Sequence, residues 1–417
     1  MPPQPPTDVL VVGAGIVGIC SALSLAEQGR TVTVVDKDGP AEGASHGNAG
    51  VISPWSCVPQ SLPGLWKHIP KWLLDPEGPV ALRCGYAVRF LPWALKFLAA
   101  GRAERIPAIA DGMNALNRPN VDLYRRHLDG TGAEDLVADS WYVHLYRRAA
   151  DADLGALAWR LRQERGVPLE KIGPGQLHEM EPDLAPRYEA AILIKDQARA
   201  LSPGRIGKVL AEKAARMGVE FRRAAVSRLR PMADGGWAAD TDAGEIVGRQ
   251  LVLAAGAWSA RLLEPLGMRL PLEAERGYHL IFTDPGVSLN NSIMEVDAKF
   301  VASSMETGIR AAGTAEFAGL DAPPDYRRAR VLAKLMKRML PGLNTEDTVE
   351  WMGARPSFPD SLPCIGEVPG QAGLFAAFGH SHYGFGMAPN TGRVVAQLVA
   401  GQPPNIDLTP YRVDRFD

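Results

Sequence analysis

Residues 8–36 read DVLVVGAGIVGICSALSLAEQGRTVTVVD, and their order decides the fold. A β-branched run, a GxGxxG turn opening an apolar helical stretch, and a second β-branched run closed by an acid are the parts of a dinucleotide-binding βαβ unit. Each part has a mechanical reason. Gly13 permits the tight turn, Gly15 lets the backbone approach a pyrophosphate, and Gly18 lets helix and strand pack closely. Ile16 and Val17 begin the helix, whose first N–H groups lack partners and favour an anion. Asp36 ends the second run, about 20 residues on, where a carboxylate accepts hydrogen bonds from an adenosine ribose.

At 417 residues the chain is too long for one simple core and predicts two domains. Its content of 46% hydrophobic and 22% charged residues is that of an ordinary globular protein. The net charge of −2 gives no electrostatic reason to bind nucleic acid. Cys20, Cys57, Cys84 and Cys364 are scattered, with no CxxC and no neighbouring histidine pair, which speaks against a metal site or a disulfide framework and fits a reducing compartment. The first apolar run lacks a basic leader and is broken by glycines, so it does not read as a signal peptide. No stretch reaches the roughly 18 to 20 apolar residues of a membrane span. The expected place is the cytoplasm, or at most the periphery of the inner membrane face, and no feature fixes an oligomeric state.

Further along, residues 43–54 (GASHGNAGVISP) are too glycine-rich for a strand and read as a loop. Residues 63–105 carry Trp66, Trp72, Phe90, Trp93 and Phe97 among basic residues; they read either as a helical layer on a sheet or as a patch for a membrane surface or a partner. Within them, residues 86–99 have helical spacing interrupted at Pro92. Helices are predicted over 106–128 and 151–166, with a strand at 141–146 between them. Another helix is predicted at 202–217, capped by Ser202. Strands are predicted at 219–221, 226–229, 237–241 and from 250, the last ending in the small-residue turn Ala255-Gly256, where backbone can pass close to a ligand. Strands near 276–283, 299–305 and 309–314 suggest an antiparallel sheet. Residues 351–366 read as a loop, 374–378 as a strand and 388–400 as a helix. The absence of a second GxGxxG after a strand argues against a separate nicotinamide domain. The interleaving of nucleotide-type segments is the habit of proteins that thread a long flavin.

Five segments together resemble the D-amino-acid oxidase superfamily of flavoproteins, and within it the bacterial D-amino-acid dehydrogenases, including those acting on D-hydroxyproline. They are 13–36, 43–54, ERGYH at 275–279, WMGARPSFPDSLPCIG at 351–366 and GHSHYGFGMAPNTG at 379–392. The resemblance spans essentially the whole chain. It implies an α/β fold with a Rossmann-like FAD-binding domain built from 1–55, 195–260 and 350–417, interleaved with an α+β substrate domain from 56–194 and 261–349 that carries a mixed or antiparallel sheet. It also implies hydride transfer from the α carbon of a D-amino acid or cyclic D-imino acid to flavin N5, with hydrolysis of the resulting imine and electrons passing to a quinone or other electron-transfer partner. A glycine- or sarcosine-type oxidase, or an FAD-bearing subunit of a hetero-oligomer, is the alternative.

Carried onto this chain, the resemblance puts Ser45 on a phosphate and Asn48, Ala49, Gly50 and Val51 near the flavin ring. Gly379, Gly384, Phe385 and Gly386 open a helix facing its N1 and C2 carbonyl, and Lys37, Val226, Ala255, Gly256 and Trp258 are further cofactor contacts. Gly353 stands where sarcosine-oxidase-like members attach FAD through cysteine, so noncovalent FAD is expected. Arg355 matches the carboxylate-binding position, and a guanidinium suits that planar ligand better than an ammonium. Strand alternation in ERGYH places Arg276 and Tyr278 opposite His279; Tyr278 could orient the substrate, and Arg276 could pair with Glu273 or Glu275. His382 is a candidate to face the substrate, with His46 and His380 equally open to being hydrogen-bonded loop residues.

Overall fold

A computed structural model describes residues 7–233 and 235–416. The first strand, Thr7–Val12, sets the architecture because both of its faces are buried. Val9 and Val11 point into one core with Ile19 and Leu23 of the helix Ile16–Glu27, Ile206 and Leu210 of Pro203–Arg216, and Val395 of Gly384–Val399. Leu10 and Val12 point into another with Trp237, Leu251 and Leu253. A strand covered on both sides in this way is the signature of a parallel α/β sheet. Thr7–Val12 pairs in parallel with Val32–Asp36 on one side and Gly244–Leu253 on the other. Glu220–Arg223 and Leu374–Phe378 extend the sheet in parallel, and Cys364–Glu367 closes one edge antiparallel. The hairpin Val226–Pro231 and Trp237–Thr241 attaches to Gly244–Leu253.

A second, mixed sheet runs in the order Thr348–Ser357, Glu273–Phe282, Gly308–Phe317, Phe300–Met305, Ser292–Glu295, Val137–Tyr146, Ala190–Ala200 and Val51–Ile52. Val80–Leu82 and Leu169–Ile172 pair onto it. The helix Arg327–Met339 covers it, with Leu332 and Met336 packed in one cluster with Leu280 and Phe300. Among the described residues no helix is long and apolar enough to cross a membrane.

Several local expectations are corrected. Residues 351–366 are not one loop: Thr348–Ser357 pairs with Glu273–Phe282 over its whole length, and Cys364–Glu367 is a strand of the first sheet. Pro356 is tolerated because Thr348–Ser357 is an edge strand, with one side's ladder unused. Residue 195 lies inside the strand Ala190–Ala200 and residue 350 inside Thr348–Ser357. The last helix begins at Gly384 rather than 388, held by burial of Phe385, Gly386 and Met387 despite poor intrinsic propensity. Pro92 lies inside a continuous helix, Ala87–Ala100. The 106–128 stretch is two helices, Ile106–Asn117 and Asn120–Leu128, and 151–166 holds only the short Leu157–Gln163. Ser202 occupies the N-cap position but its hydroxyl makes no cap bond.

Candidate active site

The two sheets enclose a cavity of about 890 Å³, at the upper end of the range for small-molecule sites. Its first wall is the βαβ unit. Gly13 has φ +108°, and a Cβ there would lie 2.4 Å from the Ala254 carbonyl oxygen, so only glycine fits. A Cβ on Gly18 would meet the Gly13 carbonyl oxygen at 1.9 Å, whereas one on Gly15 would meet only Ser45 Oγ at 3.6 Å. Backbone at Gly15 therefore borders open space at the helix start.

Asp36 holds the turn together. Its Oδ2 accepts from Ala14 N–H at 2.8 Å, and its Oδ1 accepts from Asp38 N–H at 2.8 Å and Gly39 N–H at 3.1 Å. A carboxylate has about four lone-pair sites, so one remains for a ligand hydroxyl. Ser45 Oγ accepts from Ile16 N–H at 2.8 Å, which leaves its own hydrogen to donate. Lys37 lies over the Trp258 ring at 4.2 Å.

Of the cofactor contacts expected, Gly13, Gly15, Ile16, Val17, Asp36, Lys37, Ser45, Asn48, Ala49, Val51, Val226, Ala255, Gly256, Trp258, Gly353, Gly379, Gly384, Phe385 and Gly386 all line this one cavity. Gly18 and Gly50 do not line it. Gly18 packs on the Gly13 turn, and Gly50, at φ +80°, turns the chain against the Ala200 carbonyl.

At the other end, three residues distant in sequence meet. Arg355 Nη1 donates to Glu275 Oε1 at 3.0 Å and to the Thr314 carbonyl at 3.2 Å, and His382 Nε2 meets the same Glu275 oxygen. Ser357 Oγ donates to Glu275 Oε2 at 3.0 Å. The guanidinium packs on Gly277, where a Cβ would stand 2.1 Å from Arg355 Cζ. Burial opposes ionisation of Glu275, but His382, Arg355 and the Ser357 hydroxyl overcome it and hold its carboxyl down to about 2. Arg355 Nε and Nη2 are left without partners among the described residues, which presents one guanidinium edge to a ligand.

The face of ERGYH that meets Arg355 is thus the odd one, Glu275 and Gly277, continuing to His279, which stacks on Trp351 at 4.9 Å and approaches the Gly47 carbonyl. Tyr278 also borders the cavity, but its hydroxyl donates to Glu316 Oε2 at 2.5 Å and accepts from Asp325 N–H at 2.9 Å. Arg276 pairs with Glu316 at 3.4 Å, not with Glu273 or Glu275. His380 bonds Thr391 Oγ1 at 3.0 Å, and burial pulls its imidazole down to about 3. His46 packs against Gly204, and its carbonyl accepts from Arg310. Glu275 was missed as a site residue; its place within ERGYH was visible, its partners were not.

The lowered Glu275 carboxyl has a testable sign. Its contribution to stability is fully present above its ordinary value of 4.5 and is lost as pH falls through about 2. Glu275→Gln is expected to flatten the dependence of the unfolding midpoint on pH over that window. A slope equal to that of the wild type would remove Glu275 from the ion cluster.

The cavity also fits a large group with a polar edge. Thr314 Oγ1 and Ser381 Oγ are buried without partners in residues that line it, and both residues hold left-handed φ values, 52° and 51°. Unpaired buried hydroxyls on strained backbone call for a ligand's hydrogen bonds. The Gly384–Val399 helix starts at the cavity wall and directs its positive end there. Among the described residues no cysteine lines it.

Comparison with known proteins agrees with this architecture. Residues 8–398 match the model of the DAO family, described as FAD dependent oxidoreductase. The chain is 38% identical to a D-amino-acid oxidase of Bradyrhizobium diazoefficiens and 34% identical to a D-amino acid dehydrogenase of Paramagnetospirillum magneticum, with 98% of each chain covered in both cases. Among solved structures, glycine oxidase from Geobacillus kaustophilus superposes with a TM-score of 0.76 at 22% identity, covering 99% of both chains. The chain belongs to the DAO family of FAD-dependent oxidoreductases.

Proposed function

We propose that the chain oxidises the bond between the α carbon and the nitrogen of a D-amino acid or cyclic D-imino acid, passing the electrons to a quinone or another acceptor other than oxygen. The observation that carries this reading is the uncommitted edge of Arg355 in the cavity, beside the Glu275–His382 pair. Bound FAD supplies the two-electron acceptor. Noncovalent attachment is supported by Gly353 and by the absence of a lining cysteine.

Arg355 would hold the substrate carboxylate through Nε and Nη2 in two parallel bonds. Glu275 fixes the guanidinium from behind and orients the His382 ring. Since an ionised carboxylate only accepts, Nε2 carries the hydrogen toward Glu275, and in the neutral ring Nδ1 is the nitrogen able to take a proton from the substrate amine. Apolar walls exclude water, and orientation supplies most of the rate. Loss of two electrons and two protons leaves an imine; water hydrolyses it to a keto acid and ammonia when the substrate is a primary amino acid, and opens it to an amino keto acid without release of ammonia when the imine is cyclic.

The names of the two sequence relatives support D-amino acids. The first of them also favours a second reading, an oxidase that delivers electrons to oxygen and releases peroxide. One anaerobic experiment tests the main proposal. A D-amino or D-imino acid is expected to bleach the flavin while its L-enantiomer does not, because one clamp and one acceptor leave a single enantiomer correctly faced. Reoxidation is expected to be faster with a quinone or dye than with air, and acid precipitation to release FAD into the supernatant. Bleaching by glycine and sarcosine alone would overturn the substrate class, rapid peroxide formation would select the oxidase, and flavin in the pellet would overturn noncovalent attachment.

A further inference from the structure

A second group of polar side chains lines the same cavity and is not used by the reaction described above. It comes from the strand Val137–Tyr146 and the helix Leu157–Gln163. Arg162 Nη1 donates to the Ala158 carbonyl at 3.1 Å, and its Nε is buried with no partner. Tyr142, Tyr146 and Tyr383 line the cavity with it, and among the described residues no carboxylate forms an ion pair with it. Its guanidinium lies over the Trp159 ring at 4.7 Å. The Trp159 edge meets His144 at 5.0 Å, and His144 meets Tyr142 at 4.5 Å.

The hydrogen-bonding capacity here is mostly that of donors. Trp159 Nε1 donates to the Tyr146 oxygen at 3.0 Å, which leaves the Tyr146 hydrogen to give. The Tyr142 hydroxyl has no protein partner among the described residues. A guanidinium taken out of water without an acid to offset it is costly, and burial pulls Arg162 below its ordinary value. Tyr383, next in the chain to His382, lines the same cavity and donates from its hydroxyl to the Val58 carbonyl at 2.9 Å. Of the two guanidinium groups that line the cavity, alongside Lys37 and Lys299, Arg355 is already partnered by a carboxylate and Arg162, among the described residues, has no ion pair.

We propose that Arg162 and Tyr142 form a second anion-binding subsite, so that the substrate is a dicarboxylic amino or imino acid held by its α-carboxylate at Arg355 and by its side-chain carboxylate at Arg162. This rests on the reading of Arg355 given above. The test is calorimetric titration of the FAD-loaded protein with glutarate and with pentanoate, which share a chain length and differ by one carboxylate. Glutarate is expected to bind about tenfold to a hundredfold more tightly, the range for charge-assisted hydrogen bonds. That ratio is expected to collapse toward one in Arg162→Met and to fall in Tyr142→Phe, whose near-identical shape guards against a folding failure in the first variant. A wild-type ratio near one, or a ratio kept in both variants, overturns the subsite. Equal loss of both ligands in Arg162→Met would give the α-carboxylate to Arg162 and overturn both readings. If Arg355→Lys weakens neither ligand while the ratio still depends on Arg162, the Arg355 reading alone fails.

Discussion

Replacing Arg355 by lysine is expected to lower kcat/KM for every accepted substrate by about tenfold to a hundredfold while the protein stays yellow. The side chain donates to Glu275 and the Thr314 carbonyl through Nη1 and keeps Nε and Nη2 for a ligand. An ammonium is a point charge: it can satisfy Glu275 or a substrate carboxylate, but it cannot offer a planar pair of donors to one while bonded to the other. Loss of charge-assisted bonds worth roughly 1.5–3 kcal/mol sets the size of the effect. Glu275 keeps a cation beside it in this variant, so its buried charge is not orphaned and the fold is spared. Steady-state kinetics together with the visible spectrum check the outcome. Unchanged kinetics with bound flavin would assign Arg355 to structure.

The second large effect is expected at Gly18. A Cβ there would sit 1.9 Å from the Gly13 carbonyl oxygen and 3.0 Å from its carbon, both backbone atoms that cannot rotate away. Gly18→Ala must therefore separate the helix Ile16–Glu27 from the turn that precedes it, at a cost of about 1–3 kcal/mol or more by the usual measure of overpacking. It is expected to be both less stable and colourless. Gly15→Ala is the contrasting variant: its Cβ touches only Ser45 Oγ at 3.6 Å, so the apoprotein should melt near the wild-type temperature while FAD binding is lost. Thermal melts of the apo forms and absorbance of the purified proteins separate the two. If Gly18→Ala retains flavin and melts as the wild type does, the close helix–turn contact is not needed.

What was legible in the sequence follows from range. The βαβ unit was readable because a β-branched run, the GxGxxG turn, an apolar helical stretch and a second β-branched run closed by Asp36 follow one another within 29 residues, 8–36. Arg355, Glu275 and His382 meet across separations of 80 and 107 residues, through the antiparallel register that sets Glu275 opposite Arg355 and through the turn that returns His382 to them. No local pattern encodes that. The resemblance supplied Arg355 and His382 as candidates, but the carboxylate joining them was named only as a partner for Arg276. Thr348–Ser357 was hidden for a related reason. Gly353 and Pro356 look like loop residues, yet Gly353 is small because the Trp351 ring occupies the space beside it, where a Cβ would come within 2.1 Å. Tyr278 shows the converse: strand alternation correctly set it opposite His279, but which face reaches Arg355 depends on the neighbouring strands.

The strand Thr7–Val12 lies between Val32–Asp36 and Gly244–Leu253, and the latter carries Leu374–Phe378 on its far side. During synthesis the glycine turn emerges well before the strand Gly244–Leu253 that flanks it, and the helix opening at Gly384 follows later still. The nascent βαβ unit therefore waits with one edge uncovered, and the cavity wall is incomplete until Gly384, Phe385 and Gly386 have been made. Such long-range closure is slow and leaves strand edges open to wrong partners. Flavin loading is accordingly expected to follow the making of Gly384, with recovery of coloured protein depending on how long the half-built sheet escapes aggregation.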